Sequence, residues 1–322
     1  MNQKKLYKID KDISIAKTLD SSFYTDKNIF KTLLIDIFSS TWQYGLHINQ
    51  ITNKNIYPIN FLPETLSESI TFTRQDEQIN CISNVCTHRG HIVCDSPKKG
   101  NALKCRYHGR VFNLDGKMKN AIGFDGAKDF PSLNDNLDHI NYKNWNNFLF
   151  FSLNKTYKNL SVLSDIDRRL SNFPFKKLYF SEQLSNSFEI NTHWAMYCEN
   201  YLEGFHVSFV HKGLNDDIEL DTYKTKTLEN GVLQYTLSKT KKDALKIPNG
   251  FLNSNEDIYA YYYWIFPNIM LNFYNWGISV NIIEPINKER TKIRFLSYPI
   301  NGKKQPSNSG ASLDKVEKED QD

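Results

Sequence analysis

Apolar residues recur at roughly helical spacing through residues 11–43, first at Ile13, Ile15, Ala16 and Leu19, then at Phe30, Leu33, Leu34, Ile37 and Phe38, which predicts one or two helices. From about Trp42 to Leu153 the pattern changes to short alternating runs (SITFTR, INCISNV, ALKC, VFNL) broken by Gly, Pro and Asn. Alternation of this kind predicts a small all-β unit, closed by the apolar strand NNFLFFSL. Residues 154–175 read as a linker and a helix. Beyond them one helix at about 193–211 is set among antiparallel strands. TYKTKTLENGVLQYTLSK predicts a hairpin whose Asn230-Gly231 pair supplies the positive-φ residues of its turn. GISVNIIEPI and TKIRFLSYPI predict a second, joined by Asn287 to Arg290. No internal repeat or low-complexity tract interrupts this order.

At 322 residues the chain has room for two domains. Hydrophobic residues make up 40% and aromatic ones 14%, a globular composition rich in Tyr and Phe. A net charge of +4 without a Lys/Arg-dense run argues against nucleic acid as a partner. No stretch approaches the length of a membrane span, and MNQKKLYKIDKD lacks the apolar core of a signal peptide, so a soluble, cytoplasmic protein is expected. Of the five cysteines, Cys81, Cys94 and Cys198 are expected to be reduced, buried small hydrophobes.

Chemistry enters with Cys86-x-His88 and, after sixteen intervening residues, Cys105-x-x-His108, within NVCTHRG and LKCRYHGRVFNLDG. Two thiolates and two imidazoles converge there, in loops anchored by Gly90 and Gly109. Two Cys and two His are the ligands of a Rieske [2Fe–2S] cluster, with His replacing Cys on one iron. A structural zinc site uses the same ligand types, but zinc ribbons join two close C-x2–4-C pairs rather than C-x-H with C-x-x-H.

The stretch resembles Rieske proteins. In the respiratory branch each loop carries a further cysteine, and the two form a disulfide; here those positions are His91 and Tyr107. That branch also places Ser and Tyr donors after the second His, where this chain has Arg110 and Phe112. Loss of those donors predicts a lower cluster potential. C-T-H-R-G with C-x-Y-H-G resembles the large (alpha) subunit of Rieske non-haem iron oxygenases. That resemblance implies an α+β fold: an all-β Rieske domain at 42–154, inserted between an N-terminal helical segment (1–41) and a catalytic domain (155–322) with a central antiparallel, helix-grip-like sheet.

ENYLEGFHVSFVH supplies a second candidate metal site. Glu203 and His206, three apart, would share a helix face. His211 lies about 140° further round, so the helix must bend or end before both rings can serve one metal. Two imidazoles plus a carboxylate make the facial triad of a mononuclear Fe(II) site. An ordinary amphipathic helix is the alternative, but four of only eight histidines fall into two ligand motifs. The family pattern Asp-x-x-His-x4-His, preceded by Asn, is matched by Glu203, His206, His211 and Asn200. By this resemblance Glu203 is no ligand: it bridges a neighbouring subunit's cluster histidine to His206. Glu in place of Asp resembles the branch acting on choline- and carnitine-type quaternary ammonium compounds.

The third ligand is expected near the chain's end. In SLDKVEKEDQD, Asp320 shares the face of Leu313 and Val316 on a helix capped by Ser312. Relatives continue through a full helix there, so weak iron occupancy is expected beside a robust cluster.

YAYYYWIFPNIMLNFYNWG concentrates Tyr261, Tyr262, Tyr263, Trp264, Phe266, Phe273, Tyr274 and Trp276. On strands only about half can face a pocket, so most are core and the rest are candidates for an aromatic cage around a quaternary ammonium group. A planar aromatic acid or ring, as in the ring-hydroxylating dioxygenases, is the other substrate class. No dinucleotide fingerprint is present, so NAD(P)H electrons would come through a separate ferredoxin or flavin reductase. Lys98, Lys99, Lys104, Arg106, Arg110 and Lys117 would form a basic docking rim. The resemblance further implies a homotrimer that hydroxylates or demethylates a small organic substrate with O2. The competing classes are an impaired electron carrier that keeps only the cluster, and a zinc-stapled binding module.

Overall fold

The computed structural model describes residues 7–154 and 160–303. Helices α1 (Ser22–Thr25) and α2 (Lys27–Leu33) run into one π-helical turn at Leu34–Phe38. Asp26 caps α2, its carboxylate accepting from the backbone N–H of Asn28 and Ile29. The predicted helix is therefore confined to the second apolar run. Ile13 and Ile15 are 91% and 63% exposed and form no helix, because that run has no core to face. Phe23, Phe30 and Phe38 instead pack with Trp194 and Phe295 of the C-terminal half.

The middle of the chain is all-β. Strands β1 (Gln43–His47), β2 (Ile56–Phe61), β3 (Glu68–Gln75), β4 (Gln78–Ser83), β5 (Leu103–Lys104), β6 (Val111–Phe112), β7 (Met118–Asn120), β8 (Asn141–Trp145) and β9 (Phe148–Ser152) form three antiparallel sheets. Their orders are β1-β9-β8, β2-β3-β4 and β5-β6-β7. Ile82, Val93, Leu103, Phe112, Leu114 and Leu137 make a small core beneath the cysteine loops.

After α3 (Ser161–Leu170) come β10 (Ser181–Ile190), α4 (Trp194–Tyr201), α5 (Val207–Val210), α6 (Lys212–Asp217), β11 (Ile218–Leu228), β12 (Gly231–Ser238), β13 (Ile258–Ile265), β14 (Ile269–Tyr274), β15 (Gly277–Asn287) and β16 (Arg290–Pro299). The seven strands make one antiparallel sheet, ordered β10-β16-β15-β14-β13-β12-β11. Alternation along β13 and β14 decides its two faces. Tyr261, Tyr263, Leu271 and Phe273 pack toward α3, whose Asp165 accepts from the Tyr263 hydroxyl at 2.9 Å. Tyr262 and Tyr274 face the other way, toward the α5–α6 segment. Among the described residues no helix is long and apolar enough to cross a membrane.

The β11–β12 turn corrects the reading of the Asn-Gly pair. Leu228 pairs directly with Gly231, so the turn is Glu229-Asn230, and only Asn230 has positive φ (60°). Gly231 serves closeness instead: a Cβ there would stand 2.4 Å from the Trp264 carbonyl oxygen and 2.6 Å from Val162.

Candidate active site

The two Cys–His segments form matching loops. Cys86 N–H donates to the His91 carbonyl (2.9 Å) and Gly90 N–H returns to Cys86 (3.0 Å). Likewise Cys105 N–H donates to Arg110 (2.8 Å) and Gly109 N–H returns to Cys105 (3.0 Å). Each loop closes on a glycine with φ of 68° or 73°, a conformation that a side chain would strain. Both cysteines are 2% exposed and their thiols lie against each other. The His88 and His108 rings meet edge to face at 4.6 Å, with His108 exposed at the tip.

Among the described residues no three His, Cys, Asp or Glu side chains gather as ligands of one ion would. A thiol pair beside an imidazole pair is the division that two irons require, and it is unlike a single zinc ion with four ligands. His88 Nδ1 is buried without a protein partner, as a ring nitrogen kept for a metal would be. These residues fit the cluster. His91 and Tyr107 face each other across the loops with ring centres 5.7 Å apart, where the respiratory branch has its disulfide. All five cysteines are free and buried.

The basic rim needs a correction. Arg110 is 6% exposed and ion-paired to Asp135 at 3.2 Å, so it is no part of a docking surface. Arg106 pairs with Asp95 (2.9 Å) and Lys117 with Asp115 (3.2 Å). Of the rim residues, Lys99 and Lys104 are exposed and Lys98 is half-buried; Arg89, not counted in that rim, is exposed beside them.

The second site lies where α4 stops. One helix over 193–211 was expected, with Glu203 and His206 on a common face; instead α4 ends at Tyr201 and α5 begins at Val207. Glu203 and His206 meet in the intervening turn through a hydrogen bond between Glu203 Oε1 and His206 Nδ1, while Glu203 Oε2 accepts from the Phe205 N–H. Gly204 packs closely in this turn, where a Cβ would stand 3.1 Å from the Tyr223 ring. His211 ends α5 with non-helical φ and ψ of −101° and 68°, the break that its spacing demanded. The two rings come within 5.0 Å at 81°, with His211 buried. Engagement of His206 Nδ1 leaves Nε2 as the ring atom that could hold a metal, and the carboxylate holds the ring's orientation, an arrangement common around metal-bound His. The pair fits two corners of an iron site. Asp320 lies outside the described residues.

Several neighbours escaped the sequence reading. The Tyr201 hydroxyl donates to Asn272 Oδ1 (2.6 Å), and Gln234 Nε2 donates to the Tyr201 carbonyl (2.7 Å), tying the end of α4, with Asn200, to the sheet. Burial pushes the Tyr201, Tyr223 and Tyr262 phenols up, with nearby phenols adding to it for Tyr201 and Tyr262 and Glu203 adding to it for Tyr223, so all three stay neutral. Tyr274 stacks on Trp276 (5.2 Å, 9°), and Tyr262 meets Tyr274 edge to face at 6.0 Å. This group packs with Val207, next to His206. Gly204 was the one available signal.

The chain matches the Rieske [2Fe-2S] domain family over residues 41–131 and the ring hydroxylating alpha subunit (catalytic domain) family over residues 179–320. It belongs to the Rieske non-haem iron oxygenase alpha subunits. Chloroplastic choline monooxygenase of Amaranthus tricolor is 28% identical over 315 residues, covering 94% of this chain and 69% of that one. The carnitine monooxygenase oxygenase subunit of Escherichia coli (strain K12) is 27% identical over 294 residues, covering 88% and 75%. A quaternary ammonium Rieske monooxygenase solved with L-carnitine superposes with a TM-score of 0.72 at 21% identity, covering 89% of this chain and 77% of that one. Naphthalene 1,2-dioxygenase from Rhodococcus sp. reaches 0.74 at 14% identity, covering 94% and 80%. These structural likenesses speak to the fold. The chain is a Rieske oxygenase alpha subunit, one of a family of oxidoreductases whose Rieske domain carries a [2Fe-2S] cluster.

Proposed function

We propose that this alpha subunit oxygenates a small quaternary ammonium compound. The observation that carries the reading is Glu203 bound to His206 beside the aromatic group of Tyr262, Tyr274 and Trp276. The cluster would be held by Cys86, His88, Cys105 and His108, and the lone iron by His206, His211 and Asp320. When bound, these groups supply single electrons and activation of O2. Glu203 fixes the His206 ring, Asn200 stands at the end of the adjoining helix, and Gly204 lets Tyr223 close the turn. Ring faces attract a quaternary ammonium by about 0.5–2 kcal/mol per good contact, without a hydrogen bond that a methylated nitrogen cannot donate. The curated relatives, named for choline and carnitine, support the same class.

Electrons would arrive from a separate ferredoxin or flavin reductase at the exposed His108 edge. A homotrimer is supported by exposed apolar side chains at both ends of the transfer path. Phe205 and Phe209 beside His206 are 86% and 82% exposed, and Tyr107 beside His108 is 57% exposed. One solved quaternary ammonium Rieske monooxygenase is described in terms of inter-subunit electron transfer. Calorimetric titration of the iron-loaded protein with choline, carnitine, betaine and benzoate tests the substrate class. Saturable binding of a quaternary ammonium compound is expected. Binding of benzoate alone would overturn the reading in favour of an aromatic substrate.

A further inference from the structure

Arg110 follows the second cluster loop directly, and its side chain is buried where a Rieske relative of the respiratory branch has a hydroxyl donor. Its Nη1 donates to Thr87 Oγ1 (3.1 Å), between Cys86 and His88 in the first loop, and to Asp135 Oδ1 (3.2 Å). Thr87 Oγ1 in turn donates to the Asp135 carbonyl (2.7 Å), closing a triangle across three segments. Asp135 is held as the anion by Ser132, whose backbone N–H and hydroxyl both donate to Oδ2 at 2.9 Å. Phe130 and Phe124 cover the guanidinium at 5.4 and 5.8 Å, while the Asp135 side chain keeps 18% of its surface exposed. Nε is buried with no protein acceptor.

We infer that Arg110 is a positioning residue for the cluster, clamping the two ligand loops together and holding a buried positive charge beside them that favours the reduced state. The inference rests on the cluster being held by Cys86, His88, Cys105 and His108. A planar guanidinium suits the clamp because it can serve two acceptors in fixed directions, which an ammonium does not. The charge suits the redox step because one electron from the external donor makes the loops' contents more negative by one, and a guanidinium only 6% exposed is weakly screened by solvent. Arg110 therefore offsets the loss of hydroxyl donors that the motif alone predicts.

The two members of the ion pair should move the potential in opposite directions, which a merely structural role does not require. Wild type, Arg110→Gln, Arg110→Lys and Asp135→Asn are compared by redox titration of the cluster's EPR signal, with iron and sulfide counted on each sample. Arg110→Gln is expected to lower the reduced-to-oxidised ratio at fixed potential about tenfold, about 59 mV for one electron. Arg110→Lys should restore most of that shift while broadening the EPR lines, since the charge returns without the clamp. Asp135→Asn should raise the potential. Unchanged potentials in Arg110→Gln and Asp135→Asn, with sulfide retained, would overturn the inference. If Arg110→Gln loses the cluster, Asp135→Asn alone decides, and a potential that does not rise overturns it. Absence of sulfide from the wild type would instead defeat the cluster assignment itself.

Discussion

Two buried histidines outside both candidate metal sites predict how the fold fails in acid. His47 (0% exposed) ends β1 and His193 (3%) precedes α4. Each uses Nδ1 as a helix cap, accepting from the N–H of Asn49 (3.4 Å) and Ala195 (3.3 Å), and each buries Nε2 without a protein partner. His47 packs against Phe148 and Tyr298, and His193 against Phe23, Tyr24, Phe30 and Trp194. Burial pushes both down from 6.5 to about 4. Protonation would desolvate a charge and turn the capping acceptor into a donor facing another N–H. The sign follows: the native state refuses a proton that the unfolded chain accepts below about pH 6.5, so stability is intact above that value and is lost as pH falls toward 4. One unit below, at pH 5.5, each ring costs about 1.4 kcal/mol, rising to about 3.4 kcal/mol once pH is below 4. Urea unfolding at pH 8 and pH 5.5 would be compared for wild type and for His47→Asn and His193→Asn, which keep a capping oxygen and remove the titration. Each variant loses packing at both pH values, but its deficit relative to wild type should shrink by about 1.4 kcal/mol at pH 5.5. A deficit that is the same at both pH values would refute the reasoning.

Other consequences are equally specific. Glu203→Gln exchanges a charged acceptor on His206 Nδ1 for a neutral one and should weaken Fe(II) binding about 10- to 100-fold, with the cluster's EPR signal unaltered; equal affinity in a metal titration would show that the carboxylate does not orient the ring. Gly231→Ala drives a methyl against the Trp264 carbonyl and should cost about 1–3 kcal/mol in denaturant unfolding; an unmoved midpoint would contradict the close approach. Reduction by an acidic ferredoxin or reductase should slow as salt rises if Arg89, Lys99 and Lys104 steer it, and a salt-independent rate would remove that docking proposal.

Where a turn depends on spacing within a loop, it is legible in the sequence. Cys86-x-His88 and Cys105-x-x-His108 dictate two short turns, and the glycines that close them stand in the text. The period-2 runs of the large sheet were equally readable, because Tyr261 and Tyr263 must leave one face if Tyr262 leaves the other. Arg110 was misread because a cation in a motif looks like surface until its partner is known, and Asp135 lies 25 residues away. The continuous helix through Glu203 was misread for a related reason. Helical spacing and a hydrogen-bonded turn both bring residues three apart together, so the spacing alone does not distinguish them. Ile13 and Ile15 show the converse: apolar spacing without a surface to cover yields no helix.

The central claim, two distinct iron environments in one chain, is tested most directly by iron and acid-labile sulfide counts on anaerobically purified protein, read with EPR before and after His206→Ala and His211→Ala. The account predicts about two sulfides and about two irons per chain with a mixed-ligand cluster signal in every sample. Further Fe(II) would be taken up by the wild type alone. A colourless, sulfide-free protein, or equal Fe(II) uptake without the two imidazoles, would contradict it.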